Sequence, residues 1–288
     1  MNHPFSQAPD RAPVEAMSLT ADLVALCHRE VAEPARDPDS VRFGDAEYDN
    51  AASDVLERLG SGPIWVFAYG SLIWKPGADV TETRVSTAFG WHRAFCLEMH
   101  SWRGTPEQPG LMMALRKGGD CIGVAQRLED SDRHRTMVRL LRREIGGPIG
   151  YAALRMIDLH SDQGHVRALC FYADPPEVAD VPELPLSQVA AVLARACGHA
   201  GSGAEYLFNT VCALETENIR DAYLWKMQEL VAEEIRGLHF GVTPLEAKDA
   251  LLPLPQVSTS DWARNQLFAD AERLERDCAS LALTCLPE

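Results

Sequence analysis

Two places in this chain hold residues whose type and setting suit chemistry. One is Tyr69-Gly70-Ser71-Leu72, which ends the apolar run Ile64-Trp65-Val66-Phe67-Ala68. A strand that stops at a Gly-Ser corner leaves consecutive backbone N–H groups pointing outward, and such a nest suits an anion such as a carboxylate. Gly70 can take a positive φ where a residue with a Cβ would meet a steric penalty, so the chain can turn sharply there. An ordinary strand end followed by a turn has the same local pattern. The other place is Glu144, at the end of the Arg-rich stretch 131–145 and just before Gly146-Gly147. The glycines predict a helix stop there. A carboxylate at the negative end of a helix is disfavoured and its pKa is pushed upward. Arg142 and Arg143 offset this only if they face it.

These residues need a scaffold. From Ile64 to about Asp174 the pattern is mainly β, with strands expected over 64–70, 83–89, 92–99, 111–116, 121–128, 153–159 and 166–173. The helix at 131–145 interrupts them, and 186–236 is helical. Before this unit, helices are expected over 18–33 and 45–59, with Gly60-Ser61-Gly62-Pro63 as the break. After it, Leu267, Ala271, Leu274, Cys278 and Leu281 recur at helical spacing over 258–284. The organisation is therefore α+β. Residues 1–62 form a helical N-terminal extension whose first 17 or so residues are expected to be disordered, 63–240 the central domain, and 241–288 a C-terminal helical tail.

Charge and cysteine usage narrow the function classes. A net charge of −15 over 288 residues argues against a general nucleic-acid or anionic-membrane surface. The basic residues Arg133, Arg135, Arg139, Arg142 and Arg143 read as a solvated helix face, with nucleic-acid contact as the alternative. Eight scattered cysteines lack metal-ligand or C-x-x-C spacing, which predicts reduced, buried thiols and a cytoplasmic setting. No stretch approaches 18 consecutive apolar residues, so no membrane span is expected. Phosphate-loop, dinucleotide, zinc-protease and G-x-S-x-G motifs are all missing, and Ser71 has no neighbouring histidine.

One resemblance absorbs both chemical features. The ordered motifs are Tyr69-Gly70-Ser71-Leu72-Ile73-Trp74-Lys75-Pro76, Gly90-Trp91-His92-Arg93-Ala94-Phe95-Cys96 and Arg103-Gly104-Thr105-Pro106-Glu107. They continue through Pro109-Gly110-Leu111, Gly118-Gly119, Gly123-Val124-Ala125, Arg143-Glu144, Gly150-Tyr151 and Glu205-Tyr206-Leu207-Phe208. Over roughly residues 64 to 236 the chain resembles the ChaC-type, glutathione-specific γ-glutamylcyclotransferases. The resemblance implies a small mixed β-barrel flanked by helices, and conversion of glutathione to 5-oxoproline and Cys-Gly without cofactor or metal. It implies that Tyr69, Gly70, Ser71 and Leu72 bind the substrate's anionic end, that Glu144 is the catalytic carboxylate, and that Tyr151 and Tyr206 line the substrate site. Tyr151 departs from the usual pattern: it stands seven residues after Glu144 rather than six, and Ala-Ala-Leu follows it. A cyclotransferase for another γ-glutamyl amine or amino acid, and a non-catalytic γ-glutamyl-binding regulatory module, remain open. Oligomeric state is not legible.

Overall fold

Ile64 to Ala68 are all buried, and such an unbroken apolar run is stable only as a strand covered on both faces. It forms β1 (Trp65–Ala68), the short inner stave of a closed five-stranded barrel. The structure is a computed structural model that describes residues 16–35, 41–176 and 182–241. The chain enters through α1 (Ala21–Leu26) and α2 (Asp45–Leu59). After β1 come α3 (Ser71–Trp74), β2 (Val80–Met99), β3 (Gly110–Leu128), α4 (Arg133–Glu144), α5 (Pro148–Ala152), β4 (Arg155–Ser161) and β5 (Gly164–Cys170). Then follow α6 (Leu186–Arg195), a small hairpin of β6 (Cys197–Gly198) and β7 (Gly201–Ser202), α7 (Gly203–Thr216) and α8 (Ala222–Phe240).

The barrel order is β1-β3-β2-β4-β5, closed by a parallel contact between β1 and β5; the other pairs are antiparallel. This is the mixed barrel that the resemblance implies. The pairs expected at 83–89 with 92–99, and at 111–116 with 121–128, are each one long strand. Gly90 takes a φ of 79° at a register shift between Phe89 and Trp91, so β2 bends there without ending.

Helices cover the barrel through apolar faces. Met137, Leu140 and Leu141 of α4 and Leu193 of α6 are buried, as are Leu207 of α7 and Val231 of α8. The expected helix over 18–33 is shorter than its periodicity suggests. Arg29 donates to the Arg195 carbonyl at the end of α6 (2.9 Å), which draws the chain away from a helical path after Cys27. The expected helix over 45–59 coincides with α2. The predicted helix at 258–284 lies outside the described residues. Among the described residues, no helix is long and apolar enough to cross a membrane.

Candidate functional site

The end of β1 turns at Tyr69-Gly70 and enters the single turn of α3. Gly70 does not use its freedom to take a positive φ; its angles are φ −142° and ψ −128°. Its lack of a side chain serves a close approach instead, since a Cβ there would stand 2.6 Å from the Tyr206 hydroxyl. Tyr206, on α7, is 3% exposed, and the Ser71 N–H faces its hydroxyl. Burial pushes the Tyr206 pKa up, so it is a neutral phenol.

Peptide planarity sets the direction of the turn's donors, because the N–H of a trans peptide points opposite to the preceding C=O. The Tyr69 carbonyl accepts from Arg93 Nε (2.8 Å), so the Gly70 N–H points away from Arg93. The Ser71 carbonyl accepts from the Lys75 N–H (2.8 Å), which aims the Leu72 N–H the other way. No described residue accepts from the Gly70 or Leu72 N–H. Two donors thus remain for an anion beside the one that faces Tyr206.

Tyr69 contributes through its backbone. Its buried hydroxyl donates to the Phe171 carbonyl (2.9 Å) and lies 3.3 Å from the Tyr172 carbonyl, which ties the turn to the segment after β5. Trp74 Nε1 donates to Thr210 Oγ1 (3.1 Å) and so pins α3 to α7.

Glu144 is the last residue of α4. The stop is not built from the glycines as expected. Ile145 turns extended (φ −125°, ψ 136°) while its N–H still bonds to Leu141 (2.9 Å). The next two carbonyls are taken by the N-terminal extension: Tyr48 of α2 donates to Ile145 (2.8 Å) and the Phe43 N–H to Gly146 (3.1 Å). The Glu144 side chain is 13% exposed and Oε1 lies 3.0 Å from Arg143 Nε. Burial raises its pKa and Arg143 lowers it, with burial dominant, so the carboxyl sits above the ordinary range. Its charge raises the pKa of both Tyr206 and Tyr172, which places all three groups in one electrostatic neighbourhood.

Tyr172 was not singled out in the sequence. It follows β5 with a φ of 51°, and burial together with Glu144 pushes its phenol up to about 12. A non-glycine residue with positive φ is a signal that only coordinates reveal. Tyr151, expected at the site, points elsewhere: its hydroxyl donates to Asp54 of α2, and its ring packs on Phe43 with centroids 5.8 Å apart. Arg103 lies over the Tyr206 ring (5.5 Å) and bonds to the Ser202 carbonyl and to Glu205 (both 2.8 Å).

The arginines of α4 are partly engaged: Arg133 donates to the carbonyls of Gly60 (2.7 Å) and Gly62 (2.6 Å), and Arg142 pairs with Asp45 (2.7 Å). Two cavities lie apart from Glu144 and Tyr206. One of about 270 Å³ is lined by His92, Asp221 and Tyr223, and one of about 600 Å³ by His28, Arg29 and His199.

The structure therefore presents a turn with two unengaged backbone N–H groups and a buried carboxyl of raised pKa, with Tyr206 and Tyr172 in the electrostatic neighbourhood of that carboxyl. Comparison with known proteins identifies the family. The chain is 38% identical over 169 residues to the glutathione-specific gamma-glutamylcyclotransferase of Escherichia coli (strain K12), covering 59% of this chain and 71% of that one. It is 28% identical to gamma-glutamylcyclotransferase 2-1 of Arabidopsis thaliana, over 72% of this chain and 99% of that one. Among solved structures, a yeast gamma-glutamyl cyclotransferase specific to glutathione shares the fold, with a TM-score of 0.54 and 22% identity over 60% of this chain and 97% of that one. A family model described as ChaC-like protein matches residues 64–234, the barrel and its covering helices, and the chain belongs to that family.

Proposed function

We propose that this protein is a glutathione-specific γ-glutamylcyclotransferase that releases 5-oxoproline and Cys-Gly. The observation that carries the reading is the meeting of a carboxylate-sized donor turn at Gly70–Leu72 with the desolvated carboxyl of Glu144 around Tyr206. The identity to the Escherichia coli enzyme supports the choice of substrate.

The reaction is internal. The α-amine nitrogen of the γ-glutamyl group attacks its own γ-carbonyl carbon, the lactam C–N bond forms, and the amide bond to cysteine breaks. No external nucleophile or water is consumed. The N–H groups of Gly70 and Leu72 hold the α-carboxylate and fold the γ-glutamyl arm back on itself. Such positioning contributes on the order of 7–11 kcal/mol in favourable intramolecular reactions. Glu144 takes a proton from the α-ammonium and returns one to the departing cysteine amine. An ordinary Glu pKa of about 4.3 makes that return inefficient at neutral pH, so the upward shift from burial has the required sign. Tyr206, a neutral phenol against the Ser71 N–H, completes the polar wall beside the reacting carbonyl. Six cysteines among the described residues are free, five of them buried, which supports a reducing, cytoplasmic setting.

Incubation with glutathione is expected to give equimolar 5-oxoproline and Cys-Gly. Glu144→Gln keeps the shape of the side chain and is expected to lower kcat by roughly 10²–10⁴-fold. Full activity in that variant removes Glu144 from the mechanism. γ-Glutamyl amino acids run in parallel define the substrate range, and binding of glutathione without any lactam product would favour a regulatory module.

A further inference from the structure

We propose that Arg93 is a positioning residue for the substrate's α-carboxylate and acts through the Tyr69–Gly70 peptide. The inference rests on the reading of the Gly70–Leu72 turn as the carboxylate anchor. Arg93 lies on β2, 3% exposed, and each of its bonds reaches a different part of the fold. Nε holds the Tyr69 carbonyl at 2.8 Å, Nη2 the Ile122 carbonyl at 2.6 Å, and Nη1 the Asp221 carboxylate at 2.7 Å. Asp221 also caps α8 through the Leu224 N–H (2.9 Å), so the guanidinium is fixed from both the barrel and the helix layer.

Holding the Tyr69 carbonyl against a fixed cation does two things to the other side of that peptide. Planarity aims the Gly70 N–H away from Arg93, towards the anchor. The cation also polarises the peptide, which makes its N–H a stronger donor to an anion. Gln126, 4% exposed on β3, donates to the Leu72 carbonyl (2.9 Å); the N–H of that peptide, from Ile73, bonds to the Gly70 carbonyl (3.0 Å), so Gln126 fixes the far end of the turn without aiming an anchor donor. Two buried polar side chains of the barrel wall therefore grip the first and last carbonyls of the turn. A buried ion pair adds little net stability over apolar residues of similar volume. A forked, rigid donor that reaches three acceptors at once is what the geometry uses, and lysine supplies only a point charge on a flexible stem.

The test compares glutathione with 4-aminobutyryl-cysteinylglycine, which lacks only the α-carboxylate and would close to 2-pyrrolidinone with release of Cys-Gly. The variants are Arg93→Lys, Arg93→Met combined with Asp221→Asn so that no carboxylate is left unpaired, and Gln126→Met. Each is first checked for folding by circular dichroism. KM is measured for both compounds, or Ki against glutathione where the analogue turns over too slowly. The double variant is expected to raise KM for glutathione about tenfold, the effect of one charge-assisted hydrogen bond, with a smaller change in kcat. The analogue's constant should stay within about twofold, so the preference for the carboxylate falls by nearly the full factor. Arg93→Lys, which keeps charge and approximate length, should give a partial loss of preference and carries the test if the double variant does not fold. Equal losses for both compounds in every folded variant would overturn the proposal and leave Arg93 a packing residue. If the unmodified protein shows no preference for glutathione over the analogue, the anchor reading itself fails, and that is seen before any variant is measured.

Discussion

Replacing Gly70 by alanine tests the contact at the centre of the site. The added Cβ would lie 2.6 Å from the Tyr206 hydroxyl oxygen, 3.4 Å from Met113 Cε and 3.7 Å from Tyr206 Cζ. Only the first distance is impossible; the other two are ordinary van der Waals contacts. Either the tyrosine or the turn must move by roughly 0.8 Å to restore a normal separation, and overpacking of this kind costs about 1–3 kcal/mol. Tyr206→Phe removes the clashing oxygen and leaves the ordinary contacts. Gly70→Ala should therefore destabilise the protein by about 1–3 kcal/mol with tyrosine at 206 and by well under 1 kcal/mol with phenylalanine there. The loss of backbone freedom that alanine imposes on the unfolded chain is the same in both backgrounds and cancels in the double-mutant cycle. Urea unfolding of the four proteins measures the coupling. The same penalty in both backgrounds, or none in either, would refute the argument that Gly70 is glycine because Tyr206 approaches it.

Three further outcomes follow from the site's electrostatics and contacts. Because the folded state raises the Glu144 pKa, it favours the protonated form. Its contribution to stability is thus full below the ordinary carboxylate range and is lost as pH rises through the raised folded value. Glu144→Gln should then match the unmodified protein in acid and exceed it in thermal stability near neutrality. The turnover of the unmodified enzyme should in turn fall on the acid side with an inflection above about 4.3. An acid limb at or below that value would contradict the burial argument. Tyr151→Phe removes the hydroxyl that donates to Asp54 and should lower stability by roughly 0.5–1.5 kcal/mol while leaving KM for glutathione within a factor of two. A large KM effect would return Tyr151 to the substrate site.

Much of the positioning frame was legible before any coordinates. The apolar run 64–68, the break at 60–63 and the helix over 45–59 follow from local pattern, because strand and helix periodicity and Gly/Pro breaks act over a few residues. Boundaries failed where a distant group intervened, as when Arg195 captured Arg29 and shortened α1. At the site, the ordered motifs marked Glu144, Tyr206 and the turn, but not how they work together. The glycines after Glu144 suggested a helix stop, whereas the stop is an extended Ile145 whose carbonyl bonds to Tyr48, 97 residues away.

The Gly-Ser turn and the carboxyl at a helix end belong to the sequence itself, since covalent geometry and the helix dipole act locally. Which N–H groups face outward, why residue 70 must lack a side chain, and which tyrosines surround Glu144 were decided by the closed barrel. The decisive partners of Arg93 stand 24, 29 and 128 residues away from it in the chain. Such contacts exist only once β1 lies against β3 and the N-terminal end of α8 reaches β2, because a donor's direction is fixed by its partner's place in space and not by its place in the chain.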